Sequence, residues 1–203
     1  MNGRWKCPPR LAPLVPVLAA LLVLVGIATG CGSSPNPQAV KLIQDSNVHL
    51  KKAAEDIKGL GTFNQQFQAL LSGQANLAMA VKVQALLEKA QVSEKQSLEQ
   101  IRIARTSMSK TRDLPVSAEM KTYVDMKLAA LDGQEQVLVV ELQAMDLRLK
   151  AIKDLEAGAT LESLLTLEKQ IQVLEQKSIE DARDASDLHK KANAYFEEKK
   201  LGK

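Results

Sequence analysis

Residues 124–152 read VDMKLAALDGQEQVLVVELQAMDLRLKAI. Stepping from Val124 by alternating fours and threes gives Leu128, Leu131, Glu135, Leu138, Leu142, Met145, Leu149 and Ile152. That alternation puts them all on one face of a helix, and Glu135 is the only charged residue among them. Asp132-Gly133 is a local turn signal, but the seam keeps its phase across it, which predicts one continuous helix with a soft point. Ser117, followed by Glu119 and Met120, marks its start, and Ala157-Gly158 its end.

Similar seams lie on both sides of this stretch. Upstream, a helix from Gln38 would turn Val40, Ile43, Asn47, Leu50, Ala54 and Ile57 inward. Gly59 and Gly61 should interrupt it, with Thr62 capping a continuation over Phe63 to Leu71 and Ser72-Gly73 reversing the chain. A second helix, Gln74 to about Arg112, carries Val83, Leu87, Ala90, Leu98, Ile101, Ala104 and Met108, weakened in its middle by Glu94 and Ser97. Asp113-Leu114-Pro115 stops it, because proline disfavours helical geometry in the preceding residue. Downstream, Thr160 offers a cap for a last helix. Its row is Leu161, Leu164, Leu167, Ile171, Leu174, Ser178, Ala182, Ala185, His189, Ala192 and Phe196. Lys199, Lys200 and Lys203 follow and suit the negative end of a helix dipole. Short reversals force antiparallel neighbours. Residues 38–203 are therefore expected to form an all-α, elongated, antiparallel up-and-down four-helix bundle with coiled-coil-like packing.

Composition agrees with long helices. The 203 residues are 45% hydrophobic and only 3% aromatic, and Pro115 is the one proline beyond Pro37. Of the 27 basic residues, Arg4, Lys6 and Arg10 precede Cys31, leaving as many basic as acidic side chains in the remainder. With both signs interspersed there is no basic stripe to neutralise phosphates, so no nucleic-acid partner is expected. Only Cys7 and Cys31 occur, which excludes paired-cysteine zinc sites and CxxC redox chemistry.

The first thirty residues read as an address. Met1 to Arg10 is basic, and Leu11 to Ile27 is uncharged with a dense apolar core at Leu18 to Val25, the layout of a secretory signal. Ala28-Thr29-Gly30-Cys31 then resembles the lipobox of bacterial lipoproteins, with Ala28 where that family most often has Leu. The resemblance implies that the sulfur of Cys31 receives a diacylglyceryl group and that residues 1–30 are cut off, making Cys31 the acylated first residue. It also implies export and a lipid anchor in the cell membrane, or in an outer membrane where one exists, since Gly32 replaces the family's inner-membrane retention Asp. A retained membrane helix over Leu11 to Ile27 is the competing reading, shortened by Pro13 and Pro16. Residues 31–37, with Pro35 and Pro37 and no apolar side chain after Cys31, should be a solvated tether.

Chemical signatures are sparse. Di-iron bundles need Glu-x-x-His pairs, but Ser46 and Ser186 stand three residues before His49 and His189, so no metal or other cofactor is expected. No strand-to-helix elbow exposes a nucleophile, no glycine loop cradles phosphate, and no catalytic residue is assigned. Folding the helices back on one another brings Asn47, Glu94, Glu135 and His189 toward the middle of the bundle. Those residues could form a buried polar layer that fixes helix register or binds a small ligand. Outward rotation of Glu94 and Glu135 into water is the simpler expectation. The functional expectation is a non-enzymatic, membrane-anchored lipoprotein that contacts an envelope protein partner, with homo-oligomer formation open to its apolar seams. The alternative is a small-molecule-binding or sensory bundle.

Overall fold

The computed structural model describes residues 36–71 and 77–201, with side-chain surroundings for 36–57, 81–160 and 162–201. Among the described residues four long helices follow in order: α1 (Pro37–Leu71), α2 (Leu77–Ser109), α3 (Ala118–Glu156) and α4 (Leu161–Glu198), with a 3-10 turn at Lys110–Asp113 extending α2. α1 packs on α2, α2 on α3 and α3 on α4, as an antiparallel up-and-down bundle. At 39 residues, α3 is ~58 Å long. The signal segment, Cys31 and the Ser72-Gly73 reversal lie outside the described residues, as does the side chain of Leu161.

The helix ends follow their capping residues. Asn36 Oδ1 accepts from the backbone N–H groups of Gln38 at 3.0 Å and Ala39 at 3.4 Å. Pro37 thus takes the first helical position, where a missing N–H is harmless and φ is already set. Ser117 caps α3 by accepting from Met120 N, and Thr160 caps α4 by accepting from Ser163 N. Gly158, at φ 79°, ends α3 in a left-handed turn in which Ala159 N–H reaches back to Asp154 and Gly158 N–H to Leu155.

Two expectations for the first helix are corrected. α1 runs unbroken through Gly59 and Gly61 to Leu71. Each glycine costs about 1 kcal/mol in a helix interior, but neither removes a hydrogen-bond donor as proline would. The buried row is Ala39, Ile43, Ser46, Leu50, Ala53 and Ile57, with Val40, Asn47 and Ala54 only half-buried. Ile43, Leu50 and Ile57 hold in both readings. Which flank they share depends on where α2 lies, and periodicity within one helix does not encode that. Ser97 Oγ on α2 donates to the Ala53 carbonyl at 3.2 Å, a close approach that small side chains allow.

In α2 the whole expected row is buried, together with Glu94 and Ser97. α3 is continuous across Gly133 and buries two adjacent stripes. One is the apolar seam through Val124, Leu128, Leu131, Leu138 and Met145. The other lies one residue back: Tyr123, Lys127, Ala130, Gln134, Val137, Glu141, Ala144 and Arg148. Two buried stripes fit the helix that packs against both α2 and α4.

Candidate functional site

The second stripe of α3 repeats a polar residue every heptad: Lys127, Gln134, Glu141 and Arg148, all buried. Sequence reading missed these four because it followed the apolar seam and treated the charges beside it as solvated. The signal was present as a seven-residue spacing of polar side chains held in constant phase with a hydrophobic seam.

Lys127, Glu141 and Arg148 each meet α4. Lys127 Nζ donates to Asn193 Oδ1 at 2.6 Å, Ser178 Oγ donates to Glu141 Oε1 at 2.9 Å, and Arg148 pairs with Glu175. Residue numbers rise along α3 as they fall along α4, so these contacts define one antiparallel register. On the opposite flank α3 is tied to α2 by Arg112–Asp125, Arg105–Asp132 and Arg102–Glu135, with Gln91 bonded to Asp146. These exposed pairs are worth little individually, but they repeat one alignment.

The four residues expected to form one polar layer occupy separate places. Glu94 does not turn outward; it is 2% exposed and faces Glu141 and Arg148. Glu135 sits at the α2–α3 edge with Arg102 Nε 2.7 Å from its carboxylate. Asn47 is half-buried on α1. His189 is buried near Lys127, two heptads from the Glu141 level and hence ~21 Å away along α3. Within α4 a heptad is also the spacing from Ser178 to Ala185 and from Ala185 to Ala192, the small residues that border the His189 level.

Two buried polar levels result, with different electrostatics. At the Lys127 level the ammonium has an amide oxygen for a partner and the Tyr123 ring 5.9 Å away. Burial without a carboxylate lowers its pKa to about 8. Burial, then the neighbouring Lys127 charge, lowers His189 to about 4, so its imidazole is neutral at ordinary pH, and its Nε2 has no hydrogen-bond partner. Burial also raises the Tyr123 phenol, which packs on Phe196 with ring centroids 4.8 Å apart.

At the other level Glu94 and Glu141 face each other across the α2–α3 interface, in the register that Gln91–Asp146 and Arg102–Glu135 set on either side. Burial, then the adjacent Glu141 charge, raises Glu94 well above the carboxylate range, with Arg148 opposing. Glu141 is raised to about 7 by burial, against the bonds from Ser178 and Glu94 and the charge of Arg148. Glu94 is thus the carboxyl group held more strongly in its neutral form, while Glu141 accepts from Ser178. Arg148 is lowered to about 10 by burial and stays charged at neutral pH. Glu94 Oε2, Glu141 Oε2 and Arg148 Nη1 have no hydrogen-bond partner. Among the described residues no group of three or more histidine, cysteine or acidic side chains is placed to hold a metal ion, and no helix is long and apolar enough to cross a membrane.

Comparison with protein-family models, with curated proteins and with solved structures finds no match for this chain.

Proposed function

We propose that this chain is an exported lipoprotein, acylated at Cys31, whose helical bundle serves a non-enzymatic structural or protein-binding role at the cell envelope. The observation that carries the reading is the sequence Ala28-Thr29-Gly30-Cys31 at the end of an uncharged apolar run. Asn36, five residues after Cys31, supports it by capping the bundle's first helix; the helix begins at Pro37, so little chain separates an acylated cysteine from the folded body. Six residues of extended chain reach at most ~20 Å, which keeps the start of α1, the α2–α3 turn and the end of α4 on the membrane side. The opposite tip, where α3 passes into α4, lies roughly the length of a helix away from that end. Gly32 in place of Asp favours the outer membrane in a cell that has one.

The test is Cys31→Ser in the expressing cell, followed by metabolic labelling with a fatty acid and sizing of the product. The expected result is loss of label and accumulation of the uncut precursor. Label retained on the variant, or wild-type protein that keeps Met1, overturns the anchor.

A second reading, a small-molecule-binding or sensory bundle, is favoured by the unpartnered atoms of Glu94, Glu141 and Arg148. Thermal-shift screening of metabolites, repeated on Glu141→Gln, separates the two: a ligand of this layer stabilises the wild type and not the variant.

A further inference from the structure

Three helices converge on Glu94 and Glu141. α2 supplies Glu94; α3 supplies Glu141 and, two turns on, Arg148; α4 supplies Ser178 and Glu175, with Glu168 also near enough to Arg148 to act on its charge. Asp181, one turn from Ser178, also carries a buried Oδ2 without a partner. From α1 the nearest contributions are the Ala53 carbonyl, taken by Ser97, and the half-buried Asp56. Arg148 is the single cation among these groups. It is 8% exposed, is already paired with Glu175, and leaves Nη1 unpartnered. One guanidinium so committed cannot neutralise two further carboxylates in a poorly solvated layer, and two adjacent buried anions are disfavoured.

We propose that Glu94 and Glu141 form a proton-binding site that holds one shared proton at neutral pH and makes the α2–α3–α4 junction tighten in acid and loosen as pH rises. The proton lies between the two carboxyl groups, with Glu94 donating and Glu141 accepting. Its loss leaves two like charges facing across the α2–α3 interface, with Ser178 and Arg148 as compensating groups. The inference stands apart from the lipid anchor and does not depend on it.

The sign follows from linkage. The folded chain retains a proton that the unfolded chain releases in the ordinary carboxylate range, near pH 4.5. Above that range, until the pair ionises in the folded state, stability falls with pH, and the unfolding constant rises up to tenfold per pH unit. His189 works in the opposite sense, since its lowered pKa makes stability rise from about pH 4 to its ordinary 6.5. Because His189 lies at the other polar level, its contribution is common to wild type and carboxyl variants and cancels in their difference.

The experiment is urea unfolding of the full chain in detergent, followed by far-UV circular dichroism, for wild type, Glu94→Gln and Glu141→Gln between about pH 5 and about pH 8. Glu94→Gln keeps a donor to Glu141 but removes the proton held on Glu94, leaving Glu141 as the one carboxyl of the pair that titrates. The expected result is that wild type loses stability relative to Glu94→Gln as pH rises, the ratio of unfolding constants changing by about tenfold or more over the range. A pH-independent ratio overturns the proposal. Infrared spectroscopy of the folded wild type gives a readout that survives any failure of a variant to fold. A protonated-carboxyl C=O band persisting at neutral pH and fading at higher pH is expected; a carboxyl signal wholly ionised at about pH 6 refutes the site.

Discussion

Gly133→Ala offers the sharpest test of how closely α3 and α4 approach. In an exposed helix this change would stabilise by about 1 kcal/mol, because alanine loses less backbone freedom on folding. Here a methyl group at position 133 would sit 2.9 Å from Ala185 Cβ and 3.4 Å from Ala185 Cα. Ala185 has no rotamer by which to move aside, and its Cα is backbone, so relief requires the two helices to part. Overpacking of this kind costs about 1–3 kcal/mol. The separation would also strain the flanking levels where Ser178 reaches Glu141 and Lys127 reaches Asn193.

The net expectation is a loss of about 0–2 kcal/mol, or a fall in Tm of a few degrees for a chain this size. Combining Gly133→Ala with Ala185→Gly moves the methyl from one helix to the other and restores one methyl to the interface. The double variant should return to near wild-type stability, with a coupling energy of about 1–2 kcal/mol in the cycle. Thermal and urea unfolding of the four proteins supply the numbers. A Gly133→Ala chain more stable by the full propensity gain, with effects that add to those of Ala185→Gly, would refute the close approach.

Two further predictions concern the helix ends and the buried lysine. α4 ends as α3 does, Leu201 N–H reaching Phe196 and Lys200 N–H reaching Glu197, but with Lys200 at φ 51° where α3 has Gly158. Lys200→Gly should therefore stabilise, and Gly158→Ala destabilise, each by about 1 kcal/mol in urea unfolding. Lys127→Met removes a buried ammonium held by Asn193 without a carboxylate. Lowering from 10.5 to about 8 corresponds to a cost of roughly 3 kcal/mol while the amine is charged, less about 1 kcal/mol for the lost hydrogen bond. Between about pH 8 and 10.5 the unfolded chain holds a proton that the folded one does not, so wild-type stability rises there and the variant's advantage at pH 7 should shrink.

Much of the architecture was legible because it rests on rules local to one segment. Ser117, Thr160 and Gly158 end their helices where capping chemistry requires, and the α2 row from Val83 to Met108 is buried as its spacing predicts. What was not legible depends on neighbours. The position of α2 selects Ser46 and Ala53 over Asn47 and Ala54 on α1. Glu94 is buried because Glu141 and Arg148 wait for it on another helix, a compensation invisible from α2 alone. Gly133 looked like a soft point for the opposite reason: its purpose is the Ala185 contact, 52 residues away in sequence and adjacent in space.

The polar heptad on α3 explains why this register is adopted and its neighbours are not. Apolar seams with a seven-residue repeat tolerate a slide of one heptad, since leucine-sized side chains refill similar holes. Sliding α4 by seven residues along α3 would bring Ala185 to Glu141 in place of Ser178, and Ala182 to Arg148 in place of Glu175. It would also draw Asn193 away from Lys127 and Ala185 away from Gly133. Each stranded buried group costs about 1–3 kcal/mol, more where it is charged, so the penalties accumulate over three levels. The correct register gains little from these groups, which a well-packed apolar seam could replace. Their effect is to raise the energy of the alternatives, and the carboxyl pair at Glu94 and Glu141 extends that control to α2, where its strength depends on a proton.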